Sequence, residues 1–148
     1  MVARLERLAC TALVLRLRPQ RASFPDGPAK AQWDDFIPST DEKEDAERTG
    51  DPVLVSVWNE AATTLDEARA IYARTSTIAL RLKVDALESV EVIEDAPRLT
   101  VLTDPYVDDP RPGAAGHCGV AGLDRRKGEP RPAHRDLLDR VAGCAVAC

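Results

Sequence analysis

The 148-residue chain has few aromatic residues: two Trp, two Tyr and two Phe make up 4% of the sequence. Its core must therefore consist mainly of Val, Leu, Ile and Ala, and a hydrophobic content of 44% is typical of a globular protein. A net charge of −5 argues against general nucleic-acid binding, because counterion release requires a basic surface. No apolar run is long enough to span a bilayer. The length fits one domain.

Lysine is also scarce, with four residues against sixteen arginines, and together with eleven prolines this indicates a GC-rich, bacterial coding sequence. The N-terminus combines Arg4 and Arg7 with a short apolar run over 8–15, but no small-residue cleavage site follows. We therefore predict a cytoplasmic protein whose cysteines are reduced thiols. The cysteines are Cys10, Cys118, Cys144 and Cys148.

Charge is unevenly distributed, with +4 over residues 1–30 and −7 over residues 31–60. Leu5, Leu8 and Leu15 have helical spacing, which predicts a helix over 1–18 that Pro19 ends. Together with a Pro/Gly-rich linker over 19–30, this helix would form an N-terminal extension, residues 1–30. The extension is either an oligomerisation or membrane-surface helix, or a frayed terminus. Residues 31–148 are predicted to form a single domain.

The pattern of that domain predicts an α+β fold. We expect a small, mostly antiparallel sheet of about four strands, packed by two or three helices, with a long Gly/Pro-rich loop. The predicted elements are a Ser39- or Thr40-capped helix over 41–48, a strand over 53–58, a Thr64-capped helix over 65–72, a strand over 77–84, a hairpin of 90–93 with 99–102, a loop over 104–131 and a helix opened by Pro132.

The segment from Pro112 to Leu123 contains four of the eight glycines, one at every third position. It matches neither the dinucleotide fingerprint nor the Walker A loop. A basic stretch over 124–135, with a net charge of +3, follows it. The 113–135 loop could therefore bind an anionic, phosphate-bearing ligand through backbone N–H groups and basic side chains, or could simply be a solvated surface loop. The candidate ligand-binding residues are Gly116, His117, Arg125, Arg126 and His134.

Three of the residues in this region are also weak candidates for catalysis or metal binding: His117, Cys118 and His134. Cys118 would need a base to become a nucleophile, and adjacent residues on an extended chain face opposite ways, so His134 is the better partner. With Cys144 and Cys148, the same side chains could supply zinc ligands, although a Cys-x-x-x-Cys spacing on a helix is not a zinc knuckle.

The sequence favours a non-catalytic binding or accessory domain with another protein as its partner. The acidic stretch over 41–47, the long loop and the lack of a complete catalytic constellation are the basis for this interpretation. The alternatives are a small enzyme or ligand-binding protein that uses the 113–135 loop for an anionic small molecule, and a zinc-stabilised interaction module. No particular cofactor is indicated, nor is a nucleic-acid or membrane partner.

Overall fold

The computed structural model describes residues 3–19, 31–72, 77–92, 98–125 and 128–147, and six strands in this part of the chain form one sheet. The strands are β1 (Leu13–Pro19), β2 (Leu54–Asn59), β3 (Thr77–Lys83), β4 (Thr100–Thr103), β5 (His117–Ala121) and β6 (Val146–Ala147). Their order across the sheet is β4-β5-β2-β1-β3-β6, and every neighbouring pair is antiparallel. The strands β2 and β1 therefore lie at the centre.

Two of the helices in the described residues begin where the sequence predicts N-terminal caps. The helices are α1 (Thr40–Thr49), α2 (Leu65–Tyr72), α3 (Val84–Glu88) and α4 (Arg131–Gly143), with 3-10 turns at Trp33–Phe36 and Ala114–Gly116. At α1, Ser39 Oγ accepts from the Glu42 N–H at 3.1 Å, and Glu42 Oε1 accepts from the Ser39 N–H at 2.8 Å. Thr64 and Glu67 form the same reciprocal pair before α2. These capping boxes confirm the predicted starts of both helices.

Side chains that alternate along the strands form two apolar clusters, one on each face of the sheet. The larger cluster contains Val14, Val57 and Val120, and α4 packs on it through Leu138 and neighbouring residues. The smaller cluster lies under α2 and consists of Leu15, Leu17, Trp58, Ala68, Ile71, Ala79 and Ala114. Among the helices of the described ranges, none is long and apolar enough to cross a membrane.

The fold is α+β with an antiparallel sheet, but the sheet has six strands in the described residues rather than about four. The predicted helix over 1–18 is wrong where residues 13–19 form β1. Leu13, Leu15 and Leu17 alternate with residues of the opposite face, and this period of two fits a strand that pairs with both β2 and β3. The division of the chain at residue 30 stays a prediction, since 20–30 lie outside the described residues.

The prediction of one long loop over 104–131 is wrong for residues 117–121, which form β5. Glycines in that segment obscured the strand, because glycine is depleted in sheets. The predicted hairpin is not observed either: β4 pairs with β5, in the register Val101 to Val120. Residues 93–97, which would contain the hairpin turn, are outside the described part of the chain. The predicted strand over 77–84 and the helix opened by Pro132 are confirmed by β3 and α4.

Candidate functional site

His117 and Cys118, adjacent at the start of β5, lie on opposite faces of the sheet. Cys118 belongs to the larger apolar cluster, whereas the ring of His117 contacts Trp58 on the other face. Burial raises the pKa of the Cys118 thiol to about 11, so it is protonated at neutral pH. The thiol of Cys118 donates to the Gly116 carbonyl at 3.5 Å. This geometry separates the two residues chemically, as the alternation of an extended chain implies.

In the described part of the basic stretch, His134 and Arg125 make hydrogen bonds to nearby backbone carbonyls and not to His117. His134 Nε2 donates to the Leu123 carbonyl at 2.7 Å, and Arg125 Nε donates to the Glu129 carbonyl at 3.0 Å. Arg126 is outside the described residues. In the described ranges, no group of three or more His, Cys, Asp or Glu side chains is placed to hold a metal ion. The zinc alternative therefore gains no support from this part of the chain.

The glycines of the 113–122 segment are required by close packing. A Cβ on Gly116 would overlap Thr63 Oγ1, and one on Gly119 would lie 2.5 Å from Leu54 Cβ. Gly122 has a φ of 101°, in the left-handed region that favours glycine. The periodic spacing of the glycines thus reflects a chain that passes close to neighbouring side chains.

The central strands β1 and β2 separate halfway along their length. They pair at Val14 with Asn59 and at Leu15 with Trp58, but the next two pairs in this register, Arg16 with Val57 and Leu17 with Ser56, are not formed. Side chains bind the peptide groups of Ser56 instead. Arg16 Nη1 donates to the Ser56 carbonyl at 2.9 Å, and Glu42 Oε2 accepts from the Ser56 N–H at 2.6 Å. These two side chains replace the missing backbone partner.

Arg16 is a buried cation, with 5% of its surface exposed. Its Nε donates to the Asp35 carbonyl at 2.9 Å, and its Nη1 lies 4.0 Å from Glu42 Oε2. Burial is the main cause that lowers the pKa of Arg16, and the nearby Glu42 carboxylate opposes this. The Nη2 atom makes no hydrogen bond to a described residue, so the guanidinium retains donors that a ligand can use.

A cavity of about 220 Å³ opens where β1 and β2 separate. We call it the β1–β2 cleft; it is lined by Arg16, Leu17, Ser56, Trp58, Ile71, Tyr72 and Tyr106. Both tyrosines of the chain and one of its two tryptophans are therefore on its wall. In a chain so poor in aromatic residues, this concentration marks the cleft as the strongest candidate site.

His117 supports the aromatic wall from behind. Its ring stacks on Tyr106 with centroids 4.3 Å apart and meets Trp58 edge-on at 4.9 Å. Nδ1 lies 2.7 Å from the Asp104 carbonyl oxygen, which can only accept, so Nδ1 carries the hydrogen. Burial lowers the pKa of His117, and the neutral ring then leaves a lone pair on Nε2. That atom is buried without a hydrogen-bond partner in the described structure.

A larger groove of about 870 Å³ lies between the Trp33 turn and the end of α4. The Arg135 guanidinium stacks over the Trp33 ring, 3.9 Å from its centroid. The groove is lined mostly by small residues, and none of its polar lining residues is buried. It offers fewer directed polar contacts than the β1–β2 cleft.

Arg16, Glu42 and the two tyrosines were not predicted as site residues from the sequence. The available signal was Arg16 itself, a charged residue within an apolar run whose alternation is that of a strand.

No protein-family model matches the chain, and neither curated proteins nor solved structures include one that is detectably similar to it.

Proposed function

We propose that this protein is a non-catalytic binding domain that holds a small organic monoanion in the β1–β2 cleft. The observation that carries the proposal is the buried Arg16 guanidinium, which lines the cavity and whose described hydrogen bonds are made by Nε and Nη1. Guanidinium groups in protected sites bind carboxylates through charge-assisted hydrogen bonds. The proposal keeps the anionic ligand expected from the sequence but places it away from the 113–135 loop.

The charges around the cleft favour a monoanion over a phosphate dianion. Asp35 Oδ1 lies 3.6 Å from Arg18 Nε, and Glu42 Oε2 lies 4.0 Å from Arg16 Nη1. Within the described residues, the formal charges of these two cations and two anions cancel. A ligand is then recognised mainly by hydrogen-bond donation, and a second negative charge near Glu42 and Asp35 would be repelled.

The non-catalytic part of the proposal is based on the two reactive candidates of β5. Cys118 is buried in the apolar cluster with a raised pKa, and His117 Nε2 is buried behind the aromatic wall. A thiolate nucleophile requires a lowered pKa, which this environment does not provide.

Thermal unfolding in acetate tests the proposal, with chloride at equal ionic strength as the reference. At ten times its dissociation constant, acetate should raise the Tm by about 3 °C or more over chloride. Arg16→Lys should abolish this difference, whereas Arg81→Lys, at an exposed ion pair with Glu60, should retain it. If Arg16→Lys does not fold, Ser56→Leu fills the cavity from the face of β2 that carries Trp58. A Tm increase that is equal in acetate and chloride, or that persists in Ser56→Leu, would contradict the proposal.

A protein-binding role is the second candidate, and it agrees with the function favoured by the sequence. Val107 is 66% exposed at a turn beside Tyr106, which is 41% exposed. Burial is the main cause that raises the pKa of Tyr106; the carboxylates of Asp104, Glu42 and Asp45 add to it and the Arg111 guanidinium opposes it, so negative charge predominates near this apolar tip. A basic protein surface with an apolar pocket would complement it.

Site-specific photo-crosslinking in the source cells tests this second role. A photoreactive residue at position 107 should yield one discrete crosslinked protein, and the same residue at exposed Lys83 on β3 should not. Identical crosslinking patterns from the two positions would reject it. The predicted cytoplasmic location also stays a proposal; it is supported by the free thiols of Cys10, Cys118 and Cys144.

A further inference from the structure

We propose that the monoanion bound in the β1–β2 cleft is an aryl carboxylate, an inference that rests on the proposed function above. The inference uses three features of the cleft: its volume, its aromatic wall and the position of its single buried cation.

The volume limits the ligand to one ring. The cleft measures about 220 Å³, below the range of roughly 300–1,000 Å³ typical of sites for drug-sized molecules. A nucleotide or a fused polycyclic ligand would not fit within it. A single aromatic ring with one small substituent has the appropriate size.

The aromatic wall favours a flat, unsaturated ring. Trp58, Tyr72 and Tyr106 all line the cleft. The ring planes of Trp58 and Tyr106 are tilted by 59° with centroids 5.9 Å apart, so they offer differently oriented surfaces. An aromatic ligand can stack on one ring and meet the other edge-on, which are the two favoured arrangements of aromatic pairs. A saturated ring of the same size would lose this contribution.

The orientation of the wall is fixed by buried contacts. Tyr106 stacks on His117, and His117 is anchored by its hydrogen bond to the Asp104 carbonyl. The Trp58 backbone is held by pairing with Leu15 on one side and His117 on the other, and its ring meets the His117 ring edge-on. A preformed wall reduces the entropy cost of ligand binding.

The polar end of the ligand is set by Arg16. A carboxylate is planar and singly charged, and its oxygens match the geometry of guanidinium N–H donors. Glu42 and Asp35 already offset positive charge near Arg16, which again favours one negative charge. Stacking at one end and charge-assisted hydrogen bonding at the other together define an aryl carboxylate.

Titration with benzoate, followed by NMR, tests the inference on the full chain. There are three comparison ligands. Benzamide lacks the negative charge, cyclohexanecarboxylate lacks the aromaticity and acetate lacks the ring. Of the two indole N–H signals, benzoate should shift that of Trp58 and leave that of Trp33 unchanged, with Trp33→Phe used for assignment. Benzoate should bind about tenfold more tightly than cyclohexanecarboxylate or acetate.

A variant of the wall completes the test. Tyr106→Leu should reduce benzoate affinity severalfold and leave acetate affinity unchanged, whereas the neighbouring Val107→Ala should change neither. If acetate binds as tightly as benzoate, the aryl carboxylate inference fails but the proposed function stands. If no carboxylate binds, both fail. If Tyr106→Leu does not fold, equal affinity for benzoate and cyclohexanecarboxylate still rejects the inference.

Discussion

Two cross-strand rows on the same face at the centre of the sheet both pair β2 with β5, but they differ in how β2 meets β1. In the first row, Leu15, Trp58 and His117 pair continuously across β1, β2 and β5. In the second row, Ser56 pairs with Gly119, but its expected partner Leu17 does not pair with it. The second row thus substitutes side chains for a backbone partner.

The difference between the two rows shows how a sheet can open a cleft at its centre without leaving buried peptide groups unsatisfied. An unpaired buried N–H or C=O costs about as much as a lost hydrogen bond. Arg16 and Glu42 satisfy the two groups of Ser56 and leave space for the cleft between the strands. The first row shows the closed alternative, in which Trp58 fills the same face.

The second row, which we call the open row, depends on the Arg16 guanidinium, and removing this cation should have the largest effect on the free energy of unfolding. Arg16→Met should lower the free energy of unfolding by about 3–5 kcal/mol, because Glu42 and the Ser56 carbonyl lose their buried partner. Urea denaturation measures the change. Arg81→Met, at the exposed pair with Glu60, should cost less than about 1 kcal/mol. Equal losses in the two variants would mean that Arg16 does not replace a backbone partner.

Changing Glu42, the acidic residue that accepts from the Ser56 N–H, should have an intermediate effect on the free energy of unfolding. Glu42→Gln keeps the shape of the side chain but replaces one of the two carboxylate oxygens, which accept from the Ser39 and Ser56 N–H groups, with an NH2 group that cannot accept, and should cost about 1–3 kcal/mol. Glu44→Gln, on the exposed side of the same helix, should change the free energy of unfolding by no more than about 0.5 kcal/mol. If Glu42→Gln were as stable as Glu44→Gln, the Glu42 carboxylate would not be needed to accept from both the Ser39 and the Ser56 N–H groups.

The first row, which we call the closed row, contains His117, and the stability of the protein should depend on pH through this residue. Burial holds its pKa below the ordinary value of 6.5, opposed by Asp104, whose Oδ2 lies 3.6 Å from Nδ1, and by Glu42, while Arg16 adds to the lowering. Protons then bind the unfolded state preferentially, so stability is complete above about pH 6.5 and declines as the pH falls below it. The slope from one group is at most about 1.4 kcal/mol per pH unit.

The difference in unfolding free energy between the wild type and His117→Phe isolates this contribution between pH 7 and pH 5. The wild type should lose stability relative to the variant as the pH falls. A constant difference across this interval would show that His117 does not titrate as its environment requires.

The smallest effect is expected at Ser56 itself. The hydrogen bonds described for this residue in the open row are made by its backbone. Ser56→Ala should therefore change the free energy of unfolding by no more than about 0.5 kcal/mol. A loss of more than 1 kcal/mol, measured with the same urea titration, would assign the role to the hydroxyl instead.

Local patterns predicted the parts of the fold that local chemistry determines. Each reciprocal cap of α1 and α2 joins residues three positions apart, and the alternation of β3 is read within seven residues; these elements form as expected. In contrast, β1 was mistaken for a helix because Leu5, Leu8 and Leu15 also fit a period of 3.6. The strand is stabilised by pairing with β2 on one side and β3 on the other.

The candidate site could not be predicted because its contacts join distant parts of the chain. Arg16 reaches Ser56 across 40 positions, and Glu42, recognised only as part of a negatively charged stretch, reaches the same residue across 14. The glycine segment was conspicuous in the sequence, yet its glycines accommodate neighbours such as Thr63 and Leu54. A local pattern does not distinguish such packing from ligand binding.

The binding of an aryl carboxylate in the β1–β2 cleft is best tested by a crystal structure of the protein with benzoate. We expect the carboxylate within hydrogen-bonding distance of Arg16 Nη2 and the ring against Trp58 and Tyr106, with the Arg16 and Glu42 contacts to Ser56 retained. A backbone pair between Leu17 and Ser56 that closes the cleft, or benzoate bound only elsewhere, would contradict it.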